Sequence, residues 1–366
     1  MNSADDARYM ALALSLGRRG MGRVWPNPAV GCVIVKDGRI VGRGATANGG
    51  RPHAETIALA QAGGAAAGAT AYVTLEPCAH HGQTPPCAQA LIDAQVARVV
   101  IATGDPDLRV AGRGIAMLRA TGITVDTGVL EDQARRDHAG FLLRVTANRP
   151  YVTLKLAGTL DGRIATASGE SQWITGPEAR RAVHMMRARH DAVMVGAGTA
   201  RADDPSLTVR GMGITRQPIR VVISRAMKIP ATTQLARTAQ DIPVWLCHGA
   251  EADVTDWTKK GAVSLPCTIE AGQVDPRAAL AALAAQGITR VFCEGGGMLA
   301  ASLLSADLVD ELVVFTAGMA IGAEGTPSLA AMGIDRLAAA PRFSLDHVRP
   351  VGTDIMHRWV RQPTET

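Results

Sequence analysis

Aromatic side chains are scarce in this chain: four Phe, three Tyr and five Trp in 366 residues. A protein that grips bare nucleic acid strands needs stacking rings beside its cations. The net charge of +5 and the pI near 9.1 favour acidic ligands, yet the basic residues are scattered and form no dense run. Phosphorylated small molecules suit such a charge better than nucleic acid does. No uninterrupted apolar run approaches the ~18 residues that a membrane span needs, and the N-terminus, MNSADDARYM, is acidic where a secretory signal would be basic. A cytoplasmic protein with no membrane partner is expected. In that compartment the six cysteines stay reduced, which leaves them core packing or metal binding.

The apolar content that is present comes in short pieces. The chain is 47% apolar and 19% charged, a composition that suits an ordered α/β protein packed with small side chains. Its length allows two domains, each large enough to bury a core. Residues 4–18 carry a helical pattern, and AVGCVIVKDGRIVGRGAT alternates on both sides of Asp37-Gly38, a two-residue hairpin signal. A helix follows His53. Then come the strand AYVTL, a proline-rich loop opening into CAQALIDAQV, the strand ARVVIAT, a helix after Gly112, the strand ITVDTG and a helix over 130–144. Strands joined by crossover helices describe a layered α/β domain. The helix-breaking Pro150 in TANRP marks its end, so the expected domains are 1–146 and 147–366. From Tyr151 the alternation restarts. The strands are YVTLKLAG, DAVMVG, PIRVVIS, PVWLC, ITRVFCEGG and ELVVFTAG, with the helix PEARRAVHMMRAR and another at 275–286 that ends at Gly287.

The stretch LEPCAHHGQTPPC, residues 75–87, holds two cysteines, two histidines and three prolines in thirteen positions. Upstream, His53 and Glu55 are separated by one residue at the start of an Ala-rich helical pattern. Catalytic zinc takes three protein ligands and keeps a fourth position for a water whose pKa falls towards ~7. His53, Cys78 and Cys87 supply such a set. Glu55, on the first helical turn, is placed to shuttle protons without binding the metal. Pro77-Cys78 completes the H-x-E…P-C…C order of the zinc base deaminases. Eight residues, not two, separate the cysteines, so Cys87 arrives from the far side of a loop that Pro85-Pro86 stiffens.

Two blander arrangements stay open. His80 or His81 would close a purely structural zinc site as fourth ligand, although a closed site has no use for Glu55. Alternatively, His53 only caps its helix and the loop is a surface turn. Cys32, Cys247 and Cys293 fall inside apolar strand patterns and are assigned to core packing. Cys267 shows no partner signal.

The motifs PNPAVGCVIV (26–35), HAE, YVTLEPCAHHGQTPPC and DP…VAGRG (105–114) resemble the deaminase half of the bifunctional riboflavin-biosynthesis deaminase-reductases. The long cysteine spacing is that family's own. LKLAGTLDGRIATASGESQWIT, VGAGTARADDPSLTVR and EGGGMLAASLL resemble the reductase half. The resemblance implies a cytidine-deaminase-like three-layer α/β/α domain followed by a dihydrofolate-reductase-like α/β domain. It further implies zinc-dependent hydrolytic deamination of 2,5-diamino-6-(5-phosphoribosylamino)pyrimidin-4(3H)-one. NADPH-dependent reduction of the product's ribosyl group to ribityl then follows. In such deaminases a residue at the position of Asn27 hydrogen-bonds the pyrimidine, although an Asn in a PNP turn is also simply a turn former.

By position in the matched motifs, Ala157, Trp173, Thr199, Asp203 and the segment Gly296, Gly297, Met298, Leu299, Ala300, Ala301, Ser302 are expected to contact NADPH. Ser171, Arg187, Leu207, Arg210 and Glu294 are expected to meet the phosphoribosyl substrate. Arg187 on a helix and Arg210 at a strand end suit bidentate phosphate binding, and the glycine run 295–297 between a strand and a helix offers N–H groups to a pyrophosphate. Such a run alone is weak, because it lacks the dinucleotide fingerprint spacing. Arg225, after the strand PIRVVIS, is expected to neutralise the adenosine 2'-phosphate and favour NADPH. Lys155 and Asp161 are polar groups near the expected cleft without an assigned role. A homo-oligomer is expected. The competing readings are an inactive second domain and a basic zinc-containing nucleic-acid binder, against which the missing rings and charge runs already count.

Overall fold

A computed structural model describes residues 3–80 and 85–362. The chain divides into two compact units, Met1–Asn148 and Arg149–Thr366.

The first unit runs α1 (Ser3–Arg18), β1 (Gly31–Lys36), β2 (Arg39–Ala45), α2 (Ala54–Ala62), β3 (Thr70–Val73), α3 (Cys87–Asp93), β4 (Arg98–Ile101), α4 (Arg113–Ala120), β5 (Thr124–Thr127) and α5 (Glu131–Ala147). Its sheet has the order β2-β1-β3-β4-β5. β1 is antiparallel to β2 and β3, while β3, β4 and β5 are parallel. Asp37 and Gly38 turn the β1–β2 hairpin with positive φ at both positions (51° and 73°), the conformation a two-residue turn of matching twist demands.

Alternation decides which helix goes where. Val33, Val35, Tyr72 and Val100 pack against Tyr9, Met10, Ala13 and Leu14 of α1. Cys32, Ile34, Ala71, Val73, Val99 and Ile101 face the opposite way, onto Ala54, Ala58, Ala88, Leu91 and Leu118 of α2, α3 and α4. Each larger side chain so buried contributes about 1.5–3 kcal/mol. The close seat of α2 depends on two glycines in β2. A Cβ at Gly42 would lie 2.2 Å from the Ala58 carbonyl oxygen, and one at Gly44 would lie 2.0 Å from that of Ala54. Only bare backbone lets the helix that follows His53 lie this near the sheet.

The second unit contains β6 (Tyr151–Thr159), β7 (Arg163–Ala165), α6 (Pro177–Ala188), β8 (Ala192–Gly196), α7 (Ala197–Asp203), β9 (Ile219–Ser224), α8 (Gln234–Arg237), β10 (Val244–Gly249), α9 (Thr255–Thr258) and β11 (Val263–Cys267). It continues with β12 (Ile269–Glu270), β13 (Gln273–Val274), α10 (Pro276–Ala285), β14 (Arg290–Cys293), α11 (Gly297–Ser305), β15 (Glu311–Ala317), β16 (Thr326–Pro327), β17 (Phe343–Val351) and β18 (Asp354–Arg361). Nine strands form one sheet, in the order β11-β10-β9-β8-β14-β6-β15-β18-β17. The first seven run parallel, and β18 and β17 close it antiparallel. β8, β9, β10 and β14 are nearly all buried, as strands covered on both faces are. Both units are mixed α/β, and Cys32, Cys247 and Cys293 lie buried in strands.

Candidate metal centre and cofactor cavity

His53 stands in extended backbone just before α2 and makes no cap hydrogen bond with its side chain. The helix-capping alternative for this residue is therefore set aside. Its Nδ1 lies 3.2 Å from Cys87 Sγ and 3.7 Å from Cys78 Sγ. The three ligand atoms fall within 4.8 Å of one another, the single such grouping among the described residues. Pro86 precedes Cys87, which opens α3, so the stiff loop delivers its second thiol at a helix start. His81 lies outside the described residues. His80 is described, and its buried Nδ1 has no hydrogen-bond partner, but it is not part of the grouping.

Glu55 is only 3% exposed, and its Oε2 is buried without a partner. An unmet buried acceptor costs ~1–3 kcal/mol, and this one is free to accept a hydrogen bond from a bound molecule. Burial pushes this carboxyl up to about 7, where it both takes and gives protons near neutral pH. The Cys87 thiol, by hydrogen bonding, holds Cys78 down to about 4, and the same contact together with burial pushes Cys87 upward. One sulfur thus already has thiolate character, as a zinc ligand requires. Asn27 donates from Nδ2 to the Gly50 carbonyl at 2.7 Å, which places it beside the turn leading into His53. A Cβ at Gly50 would meet that amide at 2.4 Å. Two soft thiols, an imidazole and an uncoordinated carboxylate fit a three-ligand zinc ion.

The second unit carries an open cleft of about 1430 Å3, larger than the ~300–1,000 Å3 of a pocket for one small molecule and sufficient for two ligands. Its wall brings together Ala157, Ser171, Trp173, Arg187, Thr199, Asp203, Arg210, Arg225, Glu294, Gly296, Gly297, Met298, Leu299, Ala301 and Ser302. Gly296 N–H donates to Thr199 Oγ1 at 3.1 Å, and a Cβ at Gly295 would lie 2.7 Å from Leu299 Cδ2. At Gly297 a Cβ would lie 3.2 Å from the Ala330 nitrogen and the Ser328 carbonyl oxygen, so backbone packs tightly on the start of α11, whose N-terminal N–H groups suit a phosphate. Arg187 meets Glu294 through Nε at 2.5 Å and Nη2 at 3.0 Å. Burial holds the Lys155 ammonium below its ordinary pKa, with Glu294 opposing.

Residues 150–357 match the family model of the RibD C-terminal domain, and residues 3–103 match that of the cytidine and deoxycytidylate deaminase zinc-binding region. The riboflavin biosynthesis protein RibD of Escherichia coli strain K12 is 44% identical, with 96% of this chain and 98% of that protein covered. The chain belongs to the RibD family. RibD of Aquifex aeolicus is 40% identical over 96% of this chain and 97% of its own. Among solved structures, Acinetobacter baumannii RibD superposes with a TM-score of 0.90 at 39% identity, covering 99% of this chain and 100% of that one. A Thermotoga maritima deaminase/reductase superposes at 0.85 with 33% identity, covering 98% and 99%. RibD proteins pair a zinc-binding deaminase domain with an NADPH-dependent, dihydrofolate-reductase-like domain, and this chain carries both.

Within this RibD chain some expected contacts fall elsewhere. Leu207 is 2% exposed and packs in the core with Val183, Val222 and Leu235; Ala300, also buried, lies on the face of α11 turned from the cavity. Helical periodicity hides every third or fourth residue of a continuous binding segment. Arg210 follows an irregular stretch rather than ending a strand. Asp161 accepts from Thr159 Oγ1 at 2.5 Å and from Gly322 N–H at 2.7 Å, so it organises a turn. Cys267 does have a partner, the Cys247 thiol. Unforeseen in the wall are Arg180, Arg201 and Lys228. The Arg180 guanidinium lies 4.5 Å over the exposed Trp173 ring, a contact set by the loop between Trp173 and α6 and not by any helical or strand spacing.

Proposed function

We infer that Glu55, His53, Cys78 and Cys87 carry the deaminase reaction on the diaminopyrimidinone ribosyl phosphate, and that the large cavity reduces the ribosyl group of the resulting uracil. The unpartnered Oε2 of Glu55 beside the three-donor grouping carries this reading. His53, Cys78 and Cys87 would hold zinc, which supplies an acidified water as nucleophile when bound. Glu55 takes a proton from the nucleophile and gives it to the ring nitrogen, then takes the remaining proton of the added hydroxyl and gives it to the leaving amine. Its raised affinity for protons suits each transfer. Asn27, its amide fixed by Gly50, orients the pyrimidine.

In the second unit NADPH supplies a hydride. Residues 296–299, Ala301, Ser302 and Thr199 bind its phosphates, Trp173 and Asp203 flank it, and Arg225 faces the adenosine 2'-phosphate. Arg210 takes the substrate's phosphate, while Ser171 and the Arg187–Glu294 pair meet the sugar. Ammonia release from the diaminopyrimidinone nucleotide, with metal analysis of wild type and Glu55→Ala, tests the reading. The variant is expected to keep its ion and lose turnover; retained turnover removes Glu55 from the chemistry.

The chain is further proposed to act in the cytoplasm as a homo-oligomer. No helix among the described residues is long and apolar enough to cross a membrane. One face of the β15–β18–β17 end carries Leu312, Val314, Ile355, Trp359, Leu345 and Val348 by cross-strand pairing. Ile355, Leu345 and Val348 remain 42%, 52% and 53% exposed, which suits a second copy. Sedimentation of wild type and Leu345→Lys tests this, with a monomeric wild type as the refuting result.

A further inference from the structure

Glu76 has no part in the chemistry above, yet it is only 4% exposed and its carboxylate joins two loops. Oε1 accepts from the N–H groups of Gly114 at 3.0 Å and Ile115 at 3.3 Å, and Oε2 accepts from that of Gly112 at 3.0 Å. These donors belong to the start of α4, where no carbonyl of the helix reaches them. The Glu76 backbone N–H is itself fixed, donating to the Thr103 carbonyl at 3.0 Å. Contact on the next peptide is equally close. A Cβ at Gly114 would lie 2.1 Å from the Pro77 carbonyl oxygen, so the first turn of α4 rests directly on the Pro77-Cys78 peptide. Beyond it, the Cys78 carbonyl accepts from Ala88 N–H at 3.2 Å, and Cys78 Sγ accepts from Cys87 N–H at 3.3 Å. Cys78 is thereby held from α4 on one side and α3 on the other.

We propose that Glu76 is a positioning residue of the metal centre. It clamps the Pro77-Cys78 peptide to α4, so that Cys78 Sγ stands where the His53 and Cys87 donors converge before an ion arrives. This rests on the reading of His53, Cys78 and Cys87 as ligands. A thiol on a loosened loop has to be ordered at the moment of binding, and that cost subtracts from affinity. Loss of a residue that orients a ligand typically weakens metal binding roughly 10–100-fold. A carboxamide keeps the size of Glu76 but turns an NH2 group towards N–H donors, which breaks the clamp without opening a cavity.

The test uses the full-length chain, stripped of metal and titrated with zinc against a chelating dye. Cobalt is titrated in parallel, its absorption bands reporting ligand geometry. Glu76→Gln is compared with Leu118→Ala, which removes a fully buried α4 side chain one turn past the clamp without touching its hydrogen bonds. Glu76→Gln is expected to bind zinc roughly 10–100-fold more weakly and to shift the cobalt bands, while Leu118→Ala lowers melting temperature without a matching loss of affinity. NADPH oxidation by the second unit is unchanged in both. Unaltered zinc affinity in Glu76→Gln, or affinity that tracks melting temperature across the two variants, overturns the proposal. If Glu76→Gln leaves the first unit unfolded, Glu76→Asp decides: weaker zinc binding with a folded unit supports the clamp, and wild-type affinity overturns it. A wild-type chain that binds no zinc overturns the ligand reading instead.

Discussion

Arg187 and Glu294 lie side by side in the wall of the second unit's cavity, with Nε 2.5 Å and Nη2 3.0 Å from the two carboxylate oxygens. Arg187 Nη1 donates to the Thr208 carbonyl at 2.9 Å. The fork that the helix position suggested for a phosphate is thus largely engaged by protein groups. Arg210 lines the same wall and has no carboxylate partner among the described residues, which favours it over Arg187 as the proposed phosphate contact. Burial of Lys155 beside Glu294 makes that carboxylate answerable to two cations.

Glu294→Gln should therefore separate the two activities. The pair is nearly buried, with side chains 12% and 10% exposed, and removing one partner of such a pair costs ~3–5 kcal/mol. Reduction is expected to fall by roughly two orders of magnitude through misplacement of the substrate, and the melting point of the second unit to drop. Ammonia release should match wild type. Normal NADPH oxidation by the variant would show that the pair is only structural.

Arg225→Ala tests the cofactor preference. Arg225 lines the cavity just past β9, and its side chain has no ion pair among the described residues. A hydrogen bond to a charged group is worth ~1.5–3 kcal/mol, so NADPH is expected to bind about 10–100-fold more weakly while NADH affinity stays level. Cofactor titration followed by nicotinamide fluorescence gives both constants. An unchanged ratio of the two would assign the 2'-phosphate elsewhere on the rim, to Arg201 or Lys228.

The metal grouping was legible in the sequence because its chemistry is local. H-x-E spans three residues and P-C…C eleven, so the donors lie in two short stretches whose residue types suggest a metal. The Asp37-Gly38 hairpin was legible for the same reason, since both of its positive φ angles lie in the two residues named. What stayed hidden is long-range. Glu76 reads as part of a metal motif, and only the fold shows its three bonds to residues 36–39 positions away. The Cys247–Cys267 contact depends on the parallel register of β10 and β11, in which Gly249 faces Cys267. Leu207 fits a contiguous motif, yet the chain bends through positive φ there (54°) and its side chain enters the core.

Removing the metal should free a defined thiol. Of the two proposed ligand sulfurs, Cys78 is half-buried and Cys87 buried; Cys32, Cys247 and Cys293 are fully buried in strands and Cys267 is half-buried. Chelator treatment is expected to abolish ammonia release and leave NADPH oxidation intact. Alkylation followed by mass spectrometry should then label Cys78, the half-buried thiol of the pair, in the stripped chain and spare it in the zinc-loaded one. Equal labelling in both states would separate that sulfur from any ion.

His190 gives the second unit an acid-sensitive element. It is 8% exposed; its Nδ1 lies 2.7 Å from the Met186 carbonyl and its Nε2 lies 3.0 Å from Thr153 Oγ1. Burial pushes its pKa down to about 3, against an ordinary value of 6.5 in the unfolded chain. Between these values the unfolded chain binds a proton that the folded one refuses, so stability rises with pH through this window and falls as pH drops below about 6.5. The slope approaches about 1.4 kcal/mol per pH unit at most. Asp191, which burial raises, contributes with the opposite sign, because its folded form holds a proton longer. The two are separated by denaturant unfolding of wild type and His190→Asn from pH 7 to pH 4. The variant should be less stable at pH 7, and its curve should flatten until the difference narrows near pH 4. Parallel curves would mean that His190 takes up its proton without disturbing the contacts to Met186 and Thr153.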